Sequence, residues 1–300
     1  MRIKNAGIFT LMLGLIGGAL AASTAARAEE ESVGPVIFMP SMNVFRRYSA
    51  EDPEPLFAFY SDVLGHERLT AYDVGGPTGV MRIRAGATEL KFTGDTQGEL
   101  YQPGGVDNAS GLRLWTFFYS DREALTKRFT ENGLEAPEFV PVGDTGQLSA
   151  LVHDPEGELV QLIVTGDPAG TKYDEVEVGL TVSDLEASRA FYRDFVGLTE
   201  LAPVYDPVFD TMKYPYRHGA TTISLRHFGD DLPADTGTGG IQYVVSDVEL
   251  VDRLAKERGI EIKQPLSPLR GFNLRTIWLG DPDGITNYFA QTGQSGAVGQ

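Results

Sequence analysis

The 300 residues contain no cysteine. This excludes disulfides, a thiolate nucleophile, cysteine-ligated metals and lipid attachment through an N-terminal cysteine. Stability must therefore come from packing. Histidine is also scarce: the four are His66, His153, His218 and His227, widely scattered along the chain. Positive charge is in deficit, with 25 Lys and Arg against 42 Asp and Glu, a net charge of −17. A chain this acidic is repelled by nucleic acid and by anionic membrane surfaces, so neither is expected as a partner.

Long apolar runs are missing too. The longest of note, Ile8 to Ala22, is about 15 residues, short of the roughly 20 that span a bilayer. It follows Arg2 and Lys4 and precedes Ala26-Arg27-Ala28, a small-x-small cleavage pattern. Residues 1–28 read as a secretory signal peptide. Its removal takes away Arg2, Lys4 and Arg27 and no acid, so −17 becomes −20. Export without disulfides fits a bacterial periplasm, and no membrane association is expected after cleavage.

What is present is an internal repeat. Leu56, Phe59, Tyr60, Val63 and Leu64 fall on one helical face. The stretch Phe-Tyr, then Asp, then two apolar residues and Gly occurs at 59–65 and again at 191–197. Ser120-x-x-Glu123, Ser183-x-x-Glu186 and Ser246-x-x-Glu249 read as capping boxes opening three helices. Alternating segments at 80–84, 88–92, 177–182, 221–226 and 274–279, with apolar runs at 112–119 and 241–245, read as strands. Each of four units reads β–α–β–β–β. Gly-rich stretches at 94–111 and 229–240 divide them, 166–175 reads as a linker, and 293–300 as a loose tail.

Asp154-Pro155-Glu156-Gly157 and Asp281-Pro282-Asp283-Gly284 are tight turns, each feeding an apolar strand. Together with Ser183-Asp184-Leu185-Glu186 and the Phe-Tyr helices, they give a pattern that resembles the vicinal oxygen chelate superfamily, the glyoxalase, bleomycin-resistance and dioxygenase proteins. The resemblance implies an α+β fold: four βαβββ modules forming two tandem domains, 36–166 and 173–292, with curved, half-open barrels. Consecutive modules are taken to pair. A chain of four modules can complete its own cavities, so a monomer is the default, with a dimer possible.

The resemblance also implies metal positions on inward-facing strands. Here they fall on Phe45, Glu89, Leu114 and Gln161 in the first half, and on Glu177, Ser224, Gly240 and Tyr288 in the second. Neither set has a histidine and each has one carboxylate. A divalent cation needs three or so converging N or O donors, so no metal and no other cofactor is expected.

With the second-half pocket formed by consecutive modules, Glu177, Ser224, Arg226, Gln242 and Tyr288 would share one cavity. Glu177 is the candidate base, Tyr288 the candidate acid, and Arg226 the group that holds an anionic oxygen. Ser224, Gln242, Glu89 and Gln161 are candidate substrate-binding residues, with Lys91 and Thr116 beside them. Each has a structural alternative: Glu177 on a solvated strand edge, Tyr288 filling the core, Glu89 and Lys91 an exposed pair. Tyr214, Tyr216, Phe272 and Trp278 could line a pocket for a flat ligand. Two functions follow. One is a metal-independent lyase or isomerase moving a proton beside a carbonyl of a small molecule. The other is a non-catalytic small-molecule binding protein of the bleomycin-resistance type. The missing ligand positions weigh against a metal-dependent glyoxalase or dioxygenase, and fold alone does not decide.

Overall fold

The computed structural model describes residues 31–49, 52–73, 79–94, 102–165, 175–235, 239–269 and 271–293. The leader, most of the 166–175 linker and the tail beyond Gly293 lie outside the described residues. Glu31–Gln300 is one compact unit. Among the described residues no helix is long and apolar enough to cross a membrane.

The first module runs β1 (Asn43–Tyr48), α1 (Glu54–Ala58), β2 (Glu67–Tyr72), β3 (Val80–Ala85), β4 (Thr88–Gly94). The second is β5 (Ser110–Tyr119), α2 (Arg122–Glu131), β6 (Val140–Pro141), β7 (Leu148–His153), β8 (Leu159–Val164). The third is β9 (Val176–Thr181), α3 (Leu185–Ala190), β10 (Thr199–Glu200), β11 (Val204–Asp206), β12 (Thr211–His218), β13 (Thr221–Arg226), followed by the short β14 (Ala234–Asp235). The fourth is β15 (Gly239–Val244), α4 (Val248–Glu257), β16 (Ile262–Leu269), β17 (Leu274–Gly280), β18 (Thr286–Thr292).

The helix starts are built differently from the expected Ser-x-x-Glu boxes. In α2, α3 and α4 the cap is the next residue. Asp121, Asp184 and Asp247 accept from Ala124 N at 2.9 Å, Ala187 N at 2.9 Å and Leu250 N at 3.0 Å. A carboxylate at this position meets both a free N–H and the positive helix end, which a Ser hydroxyl cannot match. The shared Phe-Tyr has its own backbone signature. After α1 and α3 the chain widens into a π-helical turn, Phe59–Val63 and Phe191–Phe195. Leu64 N and Val196 N then donate five residues back, each at 2.9 Å. The wider turn lets both aromatics of each pair stay buried.

Two mixed sheets result, each curling into a half-open barrel. One has the order β16-β17-β18-β15-β1-β4-β3-β2, the other β10-β12-β13-β9-β5-β8-β7-β6. The first therefore joins modules one and four, through Asn43 opposite Gln242 and Phe45 opposite Gly240. The second joins modules two and three, through Thr116 opposite Glu177 and Leu114 opposite Gly179. This corrects the expectation that consecutive modules close a barrel together. Consecutive modules meet instead through the core. Tyr60, on the first helix, packs on Phe92 of β4 at 5.0 Å and on Trp115 of β5 at 6.1 Å, one ring from each sheet. Burying the helices between two sheets covers both apolar faces at once. Both barrels are completed within one chain.

Candidate functional site

Core membership fixes which face of each strand looks away from the helices. Val44, Leu90, Phe92, Ile241, Tyr243, Ile277 and Phe289 are in the core. Strand alternation then puts Asn43, Phe45, Glu89, Lys91, Arg82, Gln242, Trp278 and Tyr288 on the inner face of the eight-stranded barrel. The same parity puts Glu177, Thr222, Ser224, Arg226, Thr116 and Gln161 inside the ten-stranded barrel.

The candidate catalytic set is thereby split. Glu177 and Arg226 lie in one barrel, Tyr288 and Gln242 in the other, because β9 and β13 pair in one sheet and β15 and β18 in the other. A relay from Glu177 through substrate to Tyr288 cannot operate across two sheets. Of the substrate-binding candidates, Glu89 and Gln242 join Tyr288, while Ser224 and Gln161 join Glu177.

The inner face of the ten-stranded barrel is buried. Glu177, Ser224, Arg226, Thr116 and Gln161 are all buried. Lys213 donates to both Glu177 oxygens at 2.9 and 3.0 Å. Arg226 donates to Asp206 at 2.7 Å, under the Phe209 ring at 5.2 Å. Gly179 gives the guanidinium its place: a Cβ there would lie 2.7 Å from Arg226 Nη1 and 2.8 Å from Leu114. Thr116 donates to Gln161, which donates to Ser149, both at 3.1 Å. Val106, Leu114 and Leu159, with Phe209 and Phe228, form a small apolar cluster over this face. Charges are matched in pairs, while Ser224 Oγ and Arg226 Nε and Nη1 are buried without a hydrogen-bond partner among the described residues.

The eight-stranded barrel stays open. Phe45, Glu89, Lys91, Trp278 and Tyr288 are half-buried. One wall is aromatic, with Phe45 6.3 Å from Trp278 and Trp278 edge-on to Tyr288 at 5.2 Å. The opposite wall is charged. Arg82 forks Glu89 at 2.6 and 3.1 Å and lies 3.9 Å over the Tyr72 ring. Lys91 Nζ donates to Gln242 Oε1 at 2.5 Å, and Glu89 is 3.8 Å away. Asn43 sits at the seam, donating to Gln242 at 3.2 Å and accepting from Glu89 N at 3.2 Å. Burial pulls the Lys91 ammonium down to about 8, with Arg82 pushing the same way and Glu89 opposing. Burial lifts the Tyr288 phenol to about 12. Glu89 and Lys91 are thus neighbours on one strand inside a cup, not an exposed pair. Asn43 and Arg82 were not among the candidates. The signal for both was parity: Asn43 is two residues before Phe45, and Arg82 alternates with Ile83.

The donor set does not fit the metal that the fold implies. The four positions are Phe45, Glu89, Gly240 and Tyr288 in one cup and Leu114, Gln161, Glu177 and Ser224 in the other. The one carboxylate among each cup's four positions is already held by cations, Glu89 by Arg82 and Lys91 and Glu177 by Lys213. A Cβ on Gly240 would lie 2.6 Å from the Phe45 ring, so that ring fills the space of a ligand there. Among the described residues no three His, Cys, Asp or Glu converge. His66 is buried, His218 contacts Met39 O at 2.7 Å, and His227 pairs with Asp230 at 3.0 Å.

A family model for the Glyoxalase/Bleomycin resistance protein/Dioxygenase superfamily matches residues 45–162 and 175–289. A lactoylglutathione lyase of Arabidopsis thaliana is 27% identical over 254 residues, 79% of this chain and 87% of that protein. Glyoxalase I from Zea mays has a similar structure, with a TM-score of 0.64, 21% identity, and coverage of 84% of this chain and 92% of that one. At that identity the structural likeness speaks for the fold alone.

Proposed function

We propose that this chain, which belongs to the glyoxalase/bleomycin resistance protein/dioxygenase superfamily, is an exported protein that binds a small organic molecule in the cup of its first and fourth modules without a divalent metal. The observation that carries this reading is the contrast between its two cups. In one, the inner-face side chains are buried and the two cations, Lys213 and Arg226, each have a carboxylate, Glu177 and Asp206. The other is open, with an aromatic wall facing two cations, Arg82 and Lys91, that share one carboxylate, Glu89. Binding sites combine apolar walls with a few placed polar groups in this way. Export rests on the 1–28 leader pattern alone.

The test is hydrogen exchange with and without a compound found by screening. Protection on β1, β4, β15 and β18 is expected. Protection confined to β5, β8, β9 and β13 would overturn the assignment.

A second reading, a lyase or isomerase, is favoured by the 27% identity to a protein named lactoylglutathione lyase. The separated Glu177 and Tyr288 cannot serve it as a pair. Any proton transfer would use the groups of the open cup, Glu89, Lys91 and Tyr288. Measuring lactoylglutathione formation by the purified chain, with and without added zinc, tests it. A rate that vanishes in Tyr288→Phe but survives in Glu177→Gln would support that reading over binding alone.

A further inference from the structure

We propose that the open cup selects a flat, mostly apolar molecule bearing one carboxylate, anchored by Lys91 and laid against Phe45, Trp278 and Tyr288. This rests on the reading of that cup as the working site and adds the class of ligand.

The charges argue for it first. Arg82 and Lys91 face a single carboxylate, and both Glu89 oxygens are taken by the Arg82 fork. The one close partner of Lys91 Nζ is a neutral amide oxygen, Gln242 Oε1. An ammonium has three donors, so Lys91 keeps capacity beyond that bond. Holding two partly desolvated cations against one carboxylate is costly. In a chain of net charge −17, acids are abundant, yet Lys91 only shares Glu89, at 3.8 Å, with Arg82. The ten-stranded cup, by contrast, gives its lysine a full carboxylate, Glu177.

The amides argue for it next. Asn43 Nδ2 also donates to Gln242 Oε1, so that oxygen receives two donors and is held in place. Gln242 therefore fixes the Lys91 head at the seam between β15 and β1 instead of neutralising it.

The walls supply the flat body. Gly240 lacks a side chain, which lets the Phe45 ring lie across β15 toward Trp278. Phe45, Trp278 and Tyr288 are all half-exposed toward the cup. β18 and β4 are three strand spacings apart, about 14 Å along the sheet, and Lys91 reaches back over β1. The remaining span suits one ring with a short acid arm. One lysine next to Glu89 suits a single negative charge better than a phosphate dianion, which calls for more donors.

The test uses isothermal titration calorimetry of the purified mature chain with phenylacetate, phenylacetamide and benzyl phosphate, alongside Lys91→Met and Lys91→Arg. Phenylacetate is expected to bind at least tenfold more tightly than its amide and more tightly than benzyl phosphate. Lys91→Met should lose that preference, and Lys91→Arg should keep most of it. Should Lys91→Met fail to fold, Lys91→Arg with the amide comparison still decides the matter. Equal binding of acid and amide overturns the carboxylate inference while leaving the cup a ligand site. Preference for the phosphate, or no binding of any of the three, also overturns it. Binding that survives Lys91→Met with exchange protection on the ten-stranded sheet sinks the reading of the site itself.

Discussion

The Tyr192 phenol donates to the Asp281 carboxylate at 2.8 Å, tying the helix of the third module to the Asp-Pro-x-Gly turn of the fourth. Tyr60 makes the same tie to Asp154 at 3.1 Å. In both turns the second carboxylate oxygen accepts two backbone N–H groups, from Ile285 and Asp283 or from Glu158 and Glu156. The two motifs that identify the repeat are therefore one interaction. The tyrosine of Phe-Tyr on one module is hydrogen-bonded to the turn aspartate of the next. The ties differ in charge. Arg46, on β1, pairs with Asp154 and Glu158 in the core, and the matching residue on β9 is Val178.

Lacking that cation, Asp281 is pushed up to about 7 by burial, against the hydrogen bonds from Tyr192 and Ile285 and with a smaller push from Asp283. An unfolded Asp titrates near 3.9. A raised folded value means that the cost of ionisation is absent below about pH 4, grows up to about 7 and is constant above. Asp281→Asn keeps an oxygen for the backbone donors and carries no charge. Urea unfolding at pH 4.5, 6 and 8 should show the variant gaining on wild type as pH rises, by roughly 1.4 kcal/mol per unit. A difference that does not change with pH would rule this out.

Asp154→Asn should behave oppositely. It leaves the buried Arg46 guanidinium short of a partner, and breaking a buried pair typically costs about 3 kcal/mol or more. Thermal unfolding at pH 7 should show a clear loss for Asp154→Asn beside little loss or a gain for Asp281→Asn. Equal losses in the two would show that the ties are equivalent after all.

Much of this was legible in the sequence. The repeat, the four modules and the helix faces could be read because each depends on local spacing: Phe59-Tyr60 against Phe191-Tyr192, or Val178 and Leu180 alternating with Glu177 and Gly179. Which modules share a sheet could not be read. Asn43 opposite Gln242 is a pairing 199 residues apart, and nothing local to either strand distinguishes it from pairing with β5. The site fell with that assumption. Glu177 and Tyr288 each face inward as expected, but into different cups. The helix caps were displaced by one residue because Ser and Asp both cap well and stand side by side at 120–121, 183–184 and 246–247.

The donor set leads to a prediction about metal. Protein purified without chelator, then dialysed, should contain far less than one transition-metal ion per chain by elemental analysis, and EDTA should leave its melting temperature unchanged. Stoichiometric zinc, nickel, manganese or iron would overturn the assignment of Arg82 and Lys91 as the charges that hold Glu89.

Gly240 is where the open cup is most exposed to a single change. A Cβ there would meet Thr286 O at 2.2 Å and the Phe45 ring at 2.6 Å. The first neighbour is backbone and cannot swing away. Gly240→Ala should cost about 1–3 kcal/mol through overpacking. Adding Phe45→Ala removes only the ring clash, so the double variant should remain less stable than Phe45→Ala alone. Full recovery would place the strain in the ring instead of the strand.

His66 supplies the opposite pH response to Asp281. Its ring lies 4.8 Å from Phe117 and faces Tyr119, with Nε2 buried and unpartnered among the described residues. Burial lowers it to about 4, helped by the like charge of Arg128. A folded value below the unfolded 6.5 means that stability present above pH 6.5 is lost as pH falls toward 4. Asp281 recovers stability over nearly the same interval, so the two contributions offset each other in the native chain. Each single variant should unmask the other group. Asp281→Asn should lose stability steeply on acidification from 6.5 to 4.5. His66→Phe, which keeps a ring between Phe117 and Tyr119, should instead hold or gain stability over that range. Urea midpoints at four pH values for the two variants would decide it, and parallel profiles would mean that neither buried group titrates where its surroundings put it.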